Sequence, residues 1–150
     1  MGFVDRLHGE QAGTVDDFVV RRNDGAFAYN LAVVVDDGAQ GIGEVVRGDD
    51  LLESTPRQLW LAGQLGLSAP GFVHVPLVLG ADGARLAKRH GAVTLADRLE
   101  LGETADDVRA RLAASVGLCE AAERPSPAEL VARFDPDAFA PPASGPLPGL

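Results

Sequence analysis

Cysteine occurs once in this chain, as Cys119, and histidine only three times. A lone thiol cannot close an internal disulfide, and so few nitrogen and sulfur ligands argue against a zinc site within the chain. No run of about 18 apolar residues is present, so no transmembrane helix is expected. The opening Met1-Gly2-Phe3-Val4-Asp5-Arg6 has no apolar stretch of a secretory leader. These absences point to a soluble, cytoplasmic protein with no membrane partner. Lysine is scarcer still relative to arginine: of 13 basic residues, Lys88 alone is lysine.

What is present fits one ordinary folded chain: 150 residues, 46% hydrophobic and 23% charged. The net charge of −9 argues against nucleic-acid binding by bulk electrostatics. The acid is concentrated at the two ends. Residues 51–100 hold five basic side chains (Arg57, Arg85, Lys88, Arg89 and Arg98) against four acidic ones.

Along the chain, Asp16 to Arg22 reads as a short strand, closed by the Asn23-Asp24-Gly25 turn and returning through Ala26 to Tyr29. The run Leu31-Ala32-Val33-Val34-Val35 fits a buried strand or a buried helix equally well. Ile42 to Arg47 fits a strand. Ser54 as N-cap and Pro56 in the first turn open a helix with an apolar stripe of Leu59, Leu61, Ala62 and Leu65, ending near Gly66. Phe72 to Leu79 reads as a strand, followed by a basic, glycine-ended loop, Arg85 to Gly91. Capping-box spacings at Thr104-Ala105-Asp106-Asp107 and Ser126-Pro127-Ala128-Glu129 open two helices. The proline-rich end, from Pro141, is expected to be disordered. The expected class is α/β, becoming helical towards the C-terminus.

Several side chains invite a chemical reading, each beside a plainer one. Lys88, a compact charge in a loop after a strand, suits polyphosphate, although a solvated basic turn is the commoner use of such a sequence. Arg47, ending a strand, could grip a carboxylate with two parallel hydrogen bonds, or pair internally with Asp49 or Asp50. Tyr29 could orient a ligand or simply pack. Asp36-Asp37 and Asp16-Asp17 read more simply as turn or terminus residues than as catalytic pairs. His74, on an apolar strand, reads as a satisfied core histidine, and Cys119 as buried and inert. No Ser/His/Asp or Cys/His arrangement is present for nucleophilic catalysis.

The pieces in order are more specific than any one of them. The stretches 17–25, 28–37 and 41–50, then Ser54-Thr55-Pro56-Arg57-Gln58, His74-Val75-Pro76-Leu77 and Arg85-Leu86-Ala87-Lys88-Arg89 resemble the glutamyl-tRNA synthetase family. The resemblance runs over roughly residues 7–118. It is closest to the short glutamyl-queuosine tRNA(Asp) synthetases, which lack an anticodon-binding domain. It implies the C-terminal half of a class I, Rossmann-type catalytic domain plus a short helical piece. The expected organisation is residues 1–92 for the catalytic half with its lysine loop, 93–138 for the helical piece and 139–150 for the tail. The implied reaction activates glutamate with ATP and magnesium and passes it to a tRNA, with the queuosine of tRNA(Asp) favoured.

Residue by residue, Tyr29 and Arg47 match positions that bind glutamate, Lys88 matches the lysine that contacts ATP phosphate, and Asp50 matches an acidic position near the nucleotide. The lysine loop departs from the usual KMSKS pattern at Arg85, where lysine is usual, and at Ala87, where a hydroxyl is lost. The HIGH-type histidine motif, the acceptor-end insertion and its zinc cysteines precede this region in the family and have no counterpart here. This chain is therefore expected to carry part of an active site, as a truncated gene product, a chain with a mis-called start, or a domain completed by a separate N-terminal half. The alternative is a non-catalytic, partner-binding remnant of a glutamate–tRNA ligase.

Overall fold

The computed structural model describes residues 1–80, 82–87 and 94–146. The chain divides into two units, Met1–Val75 and Pro76–Leu150.

The first unit is built on a four-stranded sheet in the order β2-β1-β4-β3. Strands β1 (Gly2–Asp5), β4 (Gly71–Val75) and β3 (Glu44–Gly48) run parallel, and β2 (Gly9–Ala12) adds an antiparallel edge. The β1–β2 hairpin escapes the sequence reading because Gly9-Glu10-Gln11-Ala12 has neither alternation nor β-branched residues. Pairing with β1, not propensity, makes it a strand.

The ambiguous valine run resolves as helix α1 (Tyr29–Gln40), stopped by Gly41 in the left-handed conformation at φ 68°. A short 3-10 helix, Asp49–Ser54, leads into α2 (Thr55–Leu65), which carries Pro56 in its first turn and is capped by left-handed Gly66. Ser54 stands at the N-cap of α2, but its hydroxyl donates backwards to the Leu51 carbonyl at 2.7 Å and makes no cap bond. The buried face of α2 is also more polar than the apolar stripe suggested: Thr55, Pro56, Gln58, Leu61 and Ala62 are buried, and Leu65 is exposed.

The strand expected over residues 16–22 is corrected. Only one antiparallel bridge, Arg21 to Phe27, forms across the turn. The turn itself stands: the Arg22 amide donates to the Ala26 carbonyl at 2.8 Å, and Gly25 takes φ 86°. Val19, Val20 and Phe27 remain exposed, so no apolar face drives longer pairing. Phe72 to Leu79 is likewise two strands. Pro76 has no N–H for a ladder, and β4 ends just before it.

In the second unit, β5 (Val78–Leu79) pairs in parallel with β6 (Gly145–Pro146), within the proline-rich end. Helices α3 (Leu95–Glu100), α4 (Ala105–Ser115) and α5 (Pro127–Arg133) each begin with a complete capping box, from Thr94, Thr104 and Ser126. Cys119 is only half-buried, its thiol 3.6 Å from the Ala110 carbonyl, because it lies in the connection after α4 and not on a helix face. No helix among the described residues is long and apolar enough to cross a membrane.

Candidate functional site

One face of the β1-β4-β3 sheet carries a chain of polar side chains under helix α2. Asp5 comes from β1, His74 from β4 and Arg47 from β3, so three neighbouring strands each contribute one member. Register brings them together: Arg47 lies opposite His74, and Asp5 lies opposite Phe72. Asp5 and His74 are buried to 1% and 0% exposure.

The bonds run in one direction. The Arg47 Nε–H donates to His74 Nε2 at 2.9 Å, and His74 Nδ1 lies 2.7 Å from Asp5 Oδ2. A guanidinium can only donate, so His74 Nε2 must carry its lone pair and Nδ1 the proton, which it donates to Asp5. His74 is therefore neutral, held as one tautomer. Asp5 also accepts from the backbone N–H groups of Leu7 and His8, each at 3.0 Å, and of His74 at 3.1 Å. Burial alone would raise the Asp5 pKa, but the hydrogen bonds from His74, His8 and Leu7 outweigh it and hold the carboxyl below the usual range.

The other end of the Arg47 side chain is fixed by the start of α2. One terminal nitrogen donates to Gln58 Oε1 at 2.7 Å, and the other to Thr55 Oγ1 at 2.7 Å and to the Leu51 carbonyl at 3.4 Å. Gln58 in turn donates to Asn30 Oδ1 of α1 at 3.0 Å. Beneath the guanidinium, the Phe72 ring centroid lies 5.0 Å from Cζ. No carboxylate among the described residues is within ion-pair distance of Arg47, so the pairing with Asp49 or Asp50 weighed from sequence is not what holds it. Burial pushes its pKa down, while Tyr29 beside it, then Asp37 and Asp5, resist that fall. The result is a half-buried cation whose partners are mostly neutral. Such a charge is suited to an anion.

Tyr29, the first residue of α1, is 59% exposed, so its ring is not spent on core packing. Asp50 is exposed on the 3-10 helix that follows β3. Asp16 is committed elsewhere, pairing with Arg57 at 2.7 Å. Lys88 lies outside the described residues. Sequence reasoning missed Asp5, Thr55 and Gln58. Thr55 and Gln58 stood in plain view three apart on a helix, and a polar pair at that spacing on the buried face was the available signal.

A hollow of about 560 Å³ in the second unit is lined by charged side chains that satisfy one another: Arg111 with Glu103 at 2.7 Å, and Arg124 with Asp107 at 2.9 Å. It offers no uncommitted charge comparable to Arg47. Among the described residues no group of three or more His, Cys, Asp or Glu side chains is placed to hold a metal ion.

A mostly parallel sheet with an α2 crossover between β3 and β4, and polar groups gathered on one face, defines a partial Rossmann-type α/β domain. The particular family follows from comparison with known proteins. The profile described as tRNA synthetases class I (E and Q), catalytic domain, matches residues 1–122, and the chain belongs to that family. It is 62% identical over 133 residues to a glutamyl-Q tRNA(Asp) synthetase of Nocardia farcinica, covering 89% of this chain and 42% of the relative. It is 50% identical over 138 residues to a glutamyl-Q tRNA(Asp) synthetase of Symbiobacterium thermophilum, covering 90% and 43%. In fold it resembles a glutamate tRNA ligase from Elizabethkingia meningosepticum, solved in complex with its amino acid, with a TM-score of 0.80 at 24% identity over 97% of this chain and 33% of that one. The chain thus spans about two fifths of the length of the curated relatives it matches.

Proposed function

We propose that this chain supplies part of the active site of a glutamate-activating class I ligase, with Arg47 and Tyr29 holding the glutamate. The observation that carries this reading is the Arg47 guanidinium: half-buried, held on neutral acceptors, and without a carboxylate at ion-pair distance. A ligand carboxylate would exchange the weak 3.4 Å contact to the Leu51 carbonyl for a charge-assisted bond. Tyr29, exposed beside it, would supply a hydroxyl to the same ligand.

ATP with magnesium is the second substrate in this reading. Lys88 is assigned the phosphates by residue type and by its place in Arg85-Leu86-Ala87-Lys88-Arg89, and Asp50 the neighbourhood of the nucleotide. Class I chemistry works by positioning and charge stabilisation and has no need of a covalent nucleophile on the enzyme. The glutamyl group would then pass to tRNA, with the queuosine of tRNA(Asp) favoured by the names of the relatives at 62% and 50% identity. The acidic balance of −9 suits an enzyme that touches little of its tRNA. Both substrates and the tRNA would be engaged together with the N-terminal half of such a catalytic domain.

The test is glutamate transfer to tRNA(Asp), with and without queuosine, by this chain alone and joined to an upstream segment carrying a HIGH-type motif. Queuosine-dependent labelling by the joined form, abolished by Arg47→Ala, is expected. Labelling of tRNA(Glu) instead would move the acceptor, and labelling unaffected by Arg47→Ala would overturn the site. A second reading, a partner-binding remnant of such a ligase, is favoured by Val4 and Val46, which stand 69% and 62% exposed on the strands flanking β4. Association with the upstream segment but no glutamate transfer would select it.

A further inference from the structure

The glutamate reading leaves Asp5 and His74 without a task, although both are titratable side chains buried to 1% exposure or less. A buried carboxylate and imidazole are costly to desolvate, and core stability alone would be served as well by apolar side chains of similar volume. Their geometry offers a more specific role. His74 touches Arg47 through Nε2 and Asp5 through Nδ1, at 2.9 and 2.7 Å, and both contacts demand the same tautomer. If the imidazole carried its proton on Nε2, two N–H donors would face each other across the Arg47 contact. Asp5 prevents this, because an ionised carboxylate can only accept and so draws the proton to Nδ1. Asp5 is itself immobilised by three backbone N–H groups.

We infer that Asp5 is a positioning residue for the ligand-binding arginine: by fixing the His74 tautomer it keeps Nε2 an acceptor, and that acceptor aims the Arg47 guanidinium. This rests on the reading of Arg47 as the glutamate-binding group. His74 orients the Nε edge of the fork, while Gln58 and Thr55 set the other edge, so the plane of the guanidinium is fixed from two sides. The outward-facing part is then presented beside Tyr29 without being reorganised when an anion arrives.

The test uses the full 150-residue chain labelled with nitrogen-15. Imidazole nitrogen shifts report the tautomer of His74, the Nε–H signal of Arg47 reports whether that proton is held from exchange, and titration with L-glutamate reports binding. In the parent chain His74 should be the Nδ1–H form with a protected Arg47 Nε–H. Asp5→Asn should move the imidazole towards the Nε2–H form, expose the Arg47 signal to exchange and weaken glutamate binding about 10- to 100-fold, by analogy with the loss of a carboxylate that orients a metal-binding histidine. An unchanged tautomer and an unchanged Arg47 signal in Asp5→Asn would overturn the inference.

If Asp5→Asn does not fold, two His74 variants decide. The amide of His74→Gln can still donate to Asp5 and accept from Arg47, and should keep the Arg47 signal protected. His74→Leu cannot, and should lose it; protection retained in His74→Leu would overturn the inference. If the tautomer and the Arg47 signal respond as described but no form of the chain, alone or joined to the upstream segment, binds glutamate, the positioning chain stands and the choice of ligand is what fails.

Discussion

The Phe72 ring lies 5.0 Å from the guanidinium carbon of Arg47 and stacks against the His74 imidazole at 5.9 Å. One aromatic side chain thus supports both members of the Arg47–His74 contact from the same side of the sheet. Phe72→Leu keeps an apolar group in place but removes the ring face. In a double-mutant cycle with Arg47→Met, the coupling should be about 0.5–2 kcal/mol, the range of a partly desolvated cation–π pair. Urea unfolding of the four proteins checks this, and a coupling near zero would reduce Phe72 to packing.

A second prediction concerns the only lysine. With the upstream part of the catalytic domain supplied, Lys88→Ala should lower glutamate-dependent ATP–pyrophosphate exchange by about 100-fold or more, as loss of a charge that stabilises the reacting phosphates does. Arg89→Ala, one residue on, should cost far less. Equal losses would mean that the loop acts only through its net charge.

The third is steric. A Cβ on Gly13 would fall 2.7 Å from Cγ of Pro56, a ring atom in the first turn of α2 with little freedom to move. Gly13 is also held by Met1, whose carbonyl accepts from the Gly13 amide at 3.0 Å. Gly13→Ala should therefore destabilise the first unit by about 1–3 kcal/mol, the usual cost of overpacking. Thermal unfolding followed by circular dichroism would show it, and an unchanged midpoint would mean that the hairpin end and α2 can part freely.

The fourth is a pH effect in the second unit. The Asp107 carboxylate accepts from the Thr104 hydroxyl at 2.6 Å, the Thr104 amide at 3.0 Å and Arg124 Nε at 2.9 Å, which together lower its pKa from 3.8 to about 2. A depressed carboxyl pKa stabilises the folded form above the unfolded value and loses that effect as pH falls through the folded one. The gap in melting temperature between the parent chain and Asp107→Asn should be widest above pH about 4 and close towards pH about 2. A gap independent of pH would assign the effect to capping geometry and not to charge.

Local signals carried the fold where they acted over a few residues. Gly66 and Gly41 stop their helices in the left-handed conformation, and Thr104 and Ser126 close their capping boxes. Leu31 to Val35 could not be assigned because three consecutive valines favour a strand, while the packing of α1 against α2 makes the segment helical. Arg47 and Tyr29 were legible as candidates. Asp5 was not, because its partner His74 lies 69 residues away and nothing local in Val4-Asp5-Arg6 marks a buried carboxylate. His74 read as a satisfied core histidine, and it is satisfied, by a charge from either side.

The polar chain has a consequence for how the sheet assembles. Strands β1 and β4 share only the Asp5–Phe72 pair, too little to choose an alignment by ladder bonds alone. Were β1 to slide by one residue, Asp5 would swing to the opposite face, stranding a carboxylate and leaving His74 with no anchor. Val4, apolar and indifferent, would take its place. The groups that orient the arginine thus also act as a registry pin, penalising a one-residue slip of the sheet more heavily than they reward the correct alignment.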